Sequence, residues 1–210
     1  MIRHIIFDLD GTLADTARAT IAAFAEVAPE FSLPIPNPDA IRSSIGIANP
    51  MFYYSLYPAY NRKRVLACSR EIEQAEEKCI RLLGRKILFD GVAEMLDELS
   101  SMGKIIHLAS TGDPRHVDAV LQSGEIAHHF QSVNCGKADK EDMVRDIIGG
   151  ISAGEWVMMG DHQKDIAAAR ANSIPIIGAG MGYVRERDRA YFDWIVPEPH
   201  AFVAWIRERV

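Results

Sequence analysis

One stretch constrains this chain more than any other: Ile5-Ile6-Phe7-Asp8-Leu9-Asp10-Gly11-Thr12. The apolar run Ile5 to Phe7 predicts a short buried strand, and it stops at two carboxylates that flank a single leucine. Alternate residues of an extended segment point to the same side, so Asp8 and Asp10 face one pocket. Gly11 permits a sharp change of direction directly after them. Thr12 brings a hydroxyl and a backbone N–H to that bend. Two like charges this close repel unless a proton or a cation lies between them. Core packing gives no reason to place such a pair at a strand end. A divalent cation does, and so does a division of labour between a nucleophile and an acid–base.

The chain around this stretch has two rhythms. From Asp15 to about Ala28, apolar residues Ala17, Ile21, Phe24 and Ala28 recur at helical spacing. Pro29, Pro34, Pro36 and Pro38 mark a loop. Short helices are expected from Asp39 to Ile45 and from Met51 to Leu56, and a long one between Asn61 and Leu83. That long helix should bury Val65, Cys68, Ile72, Ala75, Cys79 and Leu82 as one stripe. No strand pattern occurs between residues 16 and 86. After Asp90-Gly91, helices alternate with strands expected at Lys104 to Ala109, Gln131 to Val133, Trp156 to Met159, Ile174 to Ile177 and Trp194 to Val196. Such alternation indicates a parallel sheet with right-handed crossovers. The expected architecture is an α/β core, residues 1–15 and 87–210, with an inserted all-helical cap, residues 16–86.

The net charge of −6 disfavours nucleic acid as the main partner, because binding a phosphate backbone needs a basic surface. A small anionic substrate remains compatible, since one metal ion or lysine reverses the field locally. Cys68, Cys79 and Cys135 show neither metal spacing nor a disulfide framework. No segment approaches the roughly 18 apolar residues of a membrane helix, and the first apolar run is too short for a signal peptide. A cytoplasmic protein is expected, with no membrane partner, as a monomer or homodimer.

Several polar groups fall just past the carboxyl ends of expected strands, where open α/β sheets bind ligands. Asp8 and Asp10 follow the first strand and Thr111 the second. Asp161 follows Trp156 to Gly160, and Asp165 lies about one helical turn further on. Lys140 opens the intervening helix, with Lys137 as a competitor. A nucleophilic carboxylate, a second carboxylate, a hydroxyl, an ammonium and an acidic pair are what phosphoryl transfer through an aspartyl-phosphate requires, with Mg²⁺ on oxygen ligands.

On these residues the chain resembles the haloacid dehalogenase superfamily of phosphohydrolases, in particular its phosphoglycolate-phosphatase-like members with a helical cap. Asp8 to Thr12 followed by Asp15-Thr16 matches the first motif. Thr111, three residues before Pro114, fits the second, although Gly112 stands where many relatives have Asn. Lys140 fits the third, and Gly160-Asp161 with Asp165 the fourth. The resemblance implies a Rossmann-like core and a small phosphorylated metabolite as substrate. It implies Asp8, Asp10, Thr111 and Lys140 as catalytic residues and Gly11, Thr12 and Gly112 as substrate contacts. Mg²⁺ would be held by Asp8, Asp10 through its backbone carbonyl, Asp161 and Asp165. A sugar-phosphate mutase is the alternative on the same scaffold. A non-catalytic binding protein is disfavoured by the intact Asp8, Asp10, Lys140 and Asp161.

Other residues have plainer readings. Asp15 is expected to cap a helix, and Asp165 either to meet the metal or to position Asp161 and Lys140. His162 reads as a solvated loop residue, and His128-His129 as surface for want of a ligand partner nearby in sequence. His4 and His107 read as hydrogen-bonded packing residues within strands. Gly178, Gly180 and Gly182 read as a turn. The aromatics Phe52, Tyr53, Tyr54, Tyr57 and Tyr60 form either the core of the cap or the surface that selects a substrate.

Overall fold

The structure, a computed structural model, describes residues 1–209. Strand β1 (His4–Phe7) is followed by helices α1 (Ala17–Val27), α2 (Pro38–Ser44), α3 (Met51–Leu56) and α4 (Arg62–Leu83). Then come α5 (Val92–Ser101), β2 (Ile105–Ser110), α6 (Pro114–Ser123), β3 (Phe130–Cys135), α7 (Lys140–Ile148) and β4 (Trp156–Gly160). The chain closes with α8 (Gln163–Ala171), β5 (Ile176–Ala179), β6 (Trp194–Val196) and α9 (Pro199–Arg207).

The strands form one parallel sheet in the order β3-β2-β1-β4-β5-β6. The chain builds outward from β1 on one side through β2 and β3, and on the other through β4, β5 and β6. The order therefore reverses at β1, which makes the carboxyl edge between β1 and β4 the place where loops diverge and a ligand fits. Register fixes what meets there. Phe7 pairs with Met159, and the Asp8 N–H donates to the Met159 carbonyl at 2.9 Å, so Asp8 and Asp161 leave neighbouring strands side by side.

Side chains of β1 alternate between two apolar layers, as a strand's period of two requires. Ile5 and Phe7 pack with Leu96, Val120, Phe202 and Ile206 on one face, while Ile6 packs with Val144, Trp156 and Met158 on the other. A third apolar cluster, with Phe24, Ile41, Phe52, Tyr57, Val65 and Ile72, lies wholly within the inserted helices. The insert thus carries a core of its own, and no strand forms in it, as the sequence pattern indicates.

Helix α4 starts at Asn61, whose side chain accepts the Lys63 and Arg64 N–H groups at 2.9 and 3.3 Å and satisfies two donors the helix leaves orphaned. Its expected stripe needs one correction: Leu82 is exposed and Ile80 is buried. The last turns of α4 leave the insert's own cluster and dock on the α/β core, where Ile80 meets Ile87 and Val92 in one cluster, so a different face is buried there. Among the described residues no helix is long and apolar enough to cross a membrane.

Candidate active site

The turn after β1 is built around Gly11, whose φ of 81° is a backbone state open mainly to glycine. A Cβ at Gly11 would lie 2.4 Å from the Tyr183 ring and 2.6 Å from the Asp161 carboxylate. The loop after β5 presses on the same turn. A Cβ at Gly182 would lie 1.6 Å from the Gly11 carbonyl, so only a glycine lets these two loops touch. Gly182 therefore does more than turn the chain.

Around that turn, residues from three segments converge. Lys140, at the start of α7, places Nζ 2.5 Å from Asp8 Oδ1 and 2.6 Å from Asp165 Oδ1. Asp165 Oδ2 accepts the N–H groups of Asp161 and His162 at 3.1 and 2.9 Å, closing a capping box at the start of α8. The Thr12 hydroxyl donates to Asp161 Oδ1 at 2.9 Å. Asp8, Asp161, Asp165, Lys140 and Thr12 are all buried. Lys137, the competing lysine, instead pairs with Asp146 at the exposed far side of the helix.

Three buried carboxylates lie around one ammonium, which bonds two of them, Asp8 and Asp165. Burial and the Asp165 carboxylate push Asp8 up to about 7, against the pull of Lys140. Burial, Asp8 and Asp165 push Asp161 well above the usual carboxylate range. Lys140 is held above its ordinary value because its two carboxylate partners outweigh its own burial. Oxygens of Asp8, Asp161 and Asp165 lie within 4.8 Å of one another, an all-oxygen set that suits a hard divalent cation. Asp165 has both oxygens committed, one to Lys140 and one to backbone N–H groups. Of the two roles open to it in the sequence, positioning is the one its bonds already perform.

Asp10 points the other way, into a cavity of about 430 Å³ between core and insert. Its Oδ1 lies 2.6 Å from His116 Nε2, on the first turn of α6. His116 Nδ1 in turn lies 3.9 Å from Glu76 on α4, which accepts the Thr20 hydroxyl at 2.5 Å. Burial opposes charge on both members, yet His116 is raised to about 10 and Asp10 lowered, because each is the other's counter-charge. Sequence reasoning missed His116 and Glu76. Neither belongs to a local motif, and they meet only through helix packing.

The second-motif residues line this cavity as well, with Thr111 and Gly112 opposite Gly46, Phe52 and Tyr53 of the insert. The Thr111 hydroxyl donates to the Gly46 carbonyl at 3.3 Å, while Ser110, the last residue of β2, accepts the Gly112 N–H at 3.0 Å. Of the aromatic run, Phe52 and Tyr53 reach the cavity. Tyr57 does not line it. It is buried in the insert's core with its hydroxyl on the Pro34 carbonyl at 2.9 Å. Tyr54 stacks under Arg62, and Tyr60 is 38% exposed.

Three plainer readings also change. Asp15 does not cap α1: the N-cap is Thr16, without a side-chain bond, and Asp15 accepts the Tyr183 hydroxyl at 2.6 Å. His162 is not a solvated loop residue but the N-cap of α8, accepting the Lys164 N–H at 3.3 Å, and burial lowers its pKa to about 4. His129 does have an acidic neighbour, Asp97 at 3.5 Å, brought from α5 by the fold. His4 and His107 behave as read, with their rings 3.4 Å apart at closest nitrogens and His107 bonded to Ser132 at 2.8 Å.

Comparisons with known proteins bear on the family and the fold. Residues 5–179 match the family described as haloacid dehalogenase-like hydrolase. The tyrosine-protein kinase PtkA of Mycobacterium tuberculosis is 25% identical over 193 residues, which cover 86% of this chain and 63% of that protein. The chain thus spans less than two thirds of that curated relative's length. A phosphoglycolate phosphatase of Agrobacterium fabrum is 29% identical over 192 residues, 85% of this chain and 80% of its own. A haloacid dehalogenase-like family hydrolase from Streptococcus pneumoniae superposes with a TM-score of 0.83 over 98% of each chain, at 23% identity, and so shares the fold. Since the family match runs from β1 to the end of β5 and takes in every strand of the β1–β4 site edge, the protein belongs to the haloacid dehalogenase-like hydrolases.

Proposed function

We propose that the protein is a Mg²⁺-dependent phosphatase acting on a small phosphate monoester, phosphoglycolate-like in size, through an aspartyl-phosphate on Asp8. The observation that carries this reading is the placement of Lys140 Nζ 2.5 Å from Asp8, inside a cluster whose other members are two more carboxylates. A lysine so placed cancels part of the charge of both nucleophile and incoming phosphoryl group. Without such cancellation two anions would have to meet in a buried site.

In this reading an Asp8 oxygen attacks phosphorus, and the bond from phosphorus to the leaving oxygen breaks. Asp10, a carboxylate beside His116 in the free protein, takes up a proton on its other oxygen as the anionic ester enters, gives it to the leaving oxygen, then takes one from the water that hydrolyses the acyl-phosphate. Lys140 and Thr111 hold phosphoryl oxygens, while the Gly11 and Thr12 N–H groups stay within the turn, donating to the Ala14 and Leu9 carbonyls at 2.9 and 3.2 Å. Asp8, Asp161 and the Asp10 carbonyl would hold Mg²⁺, with Asp165 keeping Lys140 and the Asp161 loop in place. The cation would supply charge that lets Asp8 and Asp161 stay ionised together and would polarise the phosphoryl group. Residues 16–86 serve as the cap that closes the cavity and excludes water.

The test is phosphate release from a panel of phosphorylated metabolites, 2-phosphoglycolate included, by wild type and Asp8→Asn. Wild type is expected to release inorganic phosphate from at least one ester and Asp8→Asn from none. Near-normal turnover by Asp8→Asn removes the covalent route. Return of the phosphoryl group to a second sugar-phosphate hydroxyl, in place of release to water, makes the protein a mutase.

A further inference from the structure

The turn that carries Asp10 is fixed by Gly11 and Gly182, and the Thr16 side chain gives the Asp10 carboxyl group one local hydrogen-bond partner. A second partner comes from 106 residues away: His116 Nε2, 2.6 Å from Oδ1. Only 14% of the Asp10 side chain and 19% of the His116 side chain are exposed, so water does not substitute readily for this bond. The ring has its own support. Its other nitrogen faces Glu76 at 3.9 Å, and Glu76 is itself held by Thr20. Asp10 and His116 belong to the core, whereas Glu76 on α4 and Thr20 on α1 belong to the insert.

We propose that His116 is the positioning residue for the acid–base Asp10, and that Glu76 steadies its ring from the insert. The inference rests on the proposed phosphatase reaction. Holding one oxygen of Asp10 sets the direction of the other, and proton transfer to a leaving oxygen tolerates little misplacement. Because Glu76 reaches the ring only with α4 seated against α6, the insert adds to the support of His116 behind Asp10.

A positioning role for a general acid has a signature that a merely structural role lacks. An acid matters for a leaving group that is too basic to depart unprotonated, and hardly at all for a good one. The experiment measures kcat/KM with Mg²⁺ for a series of aryl phosphates from p-nitrophenyl to phenyl and p-methoxyphenyl phosphate. The ratio reports steps up to release of the phenol, so hydrolysis of the phosphoenzyme does not mask the effect. His116→Ala is expected to lower kcat/KM about 100-fold on phenyl phosphate and less than about 5-fold on p-nitrophenyl phosphate. His116→Gln, which still offers a donor at the Nε2 position, should recover part of the loss. Glu76→Gln should tilt the series in the same direction by a smaller amount. Equal losses across the series, or none, overturn the proposal. If His116→Ala fails to fold, His116→Gln and Glu76→Gln decide it by the same slope. Should wild type hydrolyse none of these esters or any metabolite, it is the phosphatase reading that fails.

Discussion

The Tyr183 hydroxyl donates to Asp15 Oδ1 at 2.6 Å and accepts the Ala17 N–H at 2.9 Å. A residue from the loop after β5 thus stands in for the missing side-chain cap of α1, and ties the first helix of the insert to the core beside the site. Tyr183→Phe keeps the ring contact with Phe89 but removes both bonds. A loss of about 1–3 kcal/mol in urea unfolding is expected, since one buried donor and one acceptor lose their partner. An unchanged unfolding midpoint would show that water replaces the hydroxyl.

Lys140 and Lys137 separate cleanly. Lys140→Ala leaves Asp8 and Asp165 without their only ammonium partner among the described residues, so turnover should fall by roughly 10² or more, in line with loss of a preorganised charge at the reacting oxygens. Lys137→Ala breaks only an exposed pair with Asp146 and should change turnover less than about twofold. Steady-state kinetics on one ester check both; the reverse ranking would move the third motif to Lys137.

Metal removal is expected to abolish activity and Mg²⁺ to restore it, because the Asp8–Asp161–Asp165 cluster carries more negative charge than Lys140 balances. A second readout is thermal: Mg²⁺ in excess of its dissociation constant by about 100-fold should stabilise the fold by about 2.7 kcal/mol. Asp161→Asn should diminish that response. A melting temperature indifferent to Mg²⁺ and chelator would contradict the assigned ligands.

On β2, in register with Ile6 of β1, burial and the neighbouring His4 ring hold His107 neutral down to about pH 4, against 6.5 for an unperturbed histidine. Between those values the unfolded chain binds the extra proton and the folded chain does not. The contribution is therefore complete above pH 6.5 and is lost as pH falls towards 4. Its ceiling is roughly 3 kcal/mol. His107→Phe, which can keep the stacking near Trp156, should flatten that part of the urea-stability profile between pH 7 and 4. An identical slope in the variant would locate acid sensitivity elsewhere.

Substrate choice should follow the cavity wall and not the aromatic run as a whole. Tyr53 lines the cavity, so Tyr53→Phe and Tyr53→Ala should reorder the metabolite panel while p-nitrophenyl phosphate turnover changes little. Tyr57→Phe removes a bond to the Pro34 carbonyl inside the insert's core and should lower stability by about 1 kcal/mol with the ratios between substrates intact. Ratios shifted by Tyr57→Phe and unmoved by Tyr53→Phe would refute this division.

The sequence by itself determined the alternation of strands and helices, the all-helical insertion and the carboxylate motif after β1. It also singled out Lys140 over Lys137 and placed Asp161 at the end of β4. These are local properties: apolar period, turn residues and spacing along the chain act within a few residues. Only the tertiary structure decided that Asp15 answers to Tyr183, that Tyr53 and not Tyr57 faces the cavity, and that Asp10 is held by His116 with Glu76 behind it. Those pairings join residues far apart in the chain, and they depend on strand register and on how α4 seats against α6. A sequence pattern specifies that a helix has a buried face; which partner that face meets is set by packing whole elements together at close-packed density.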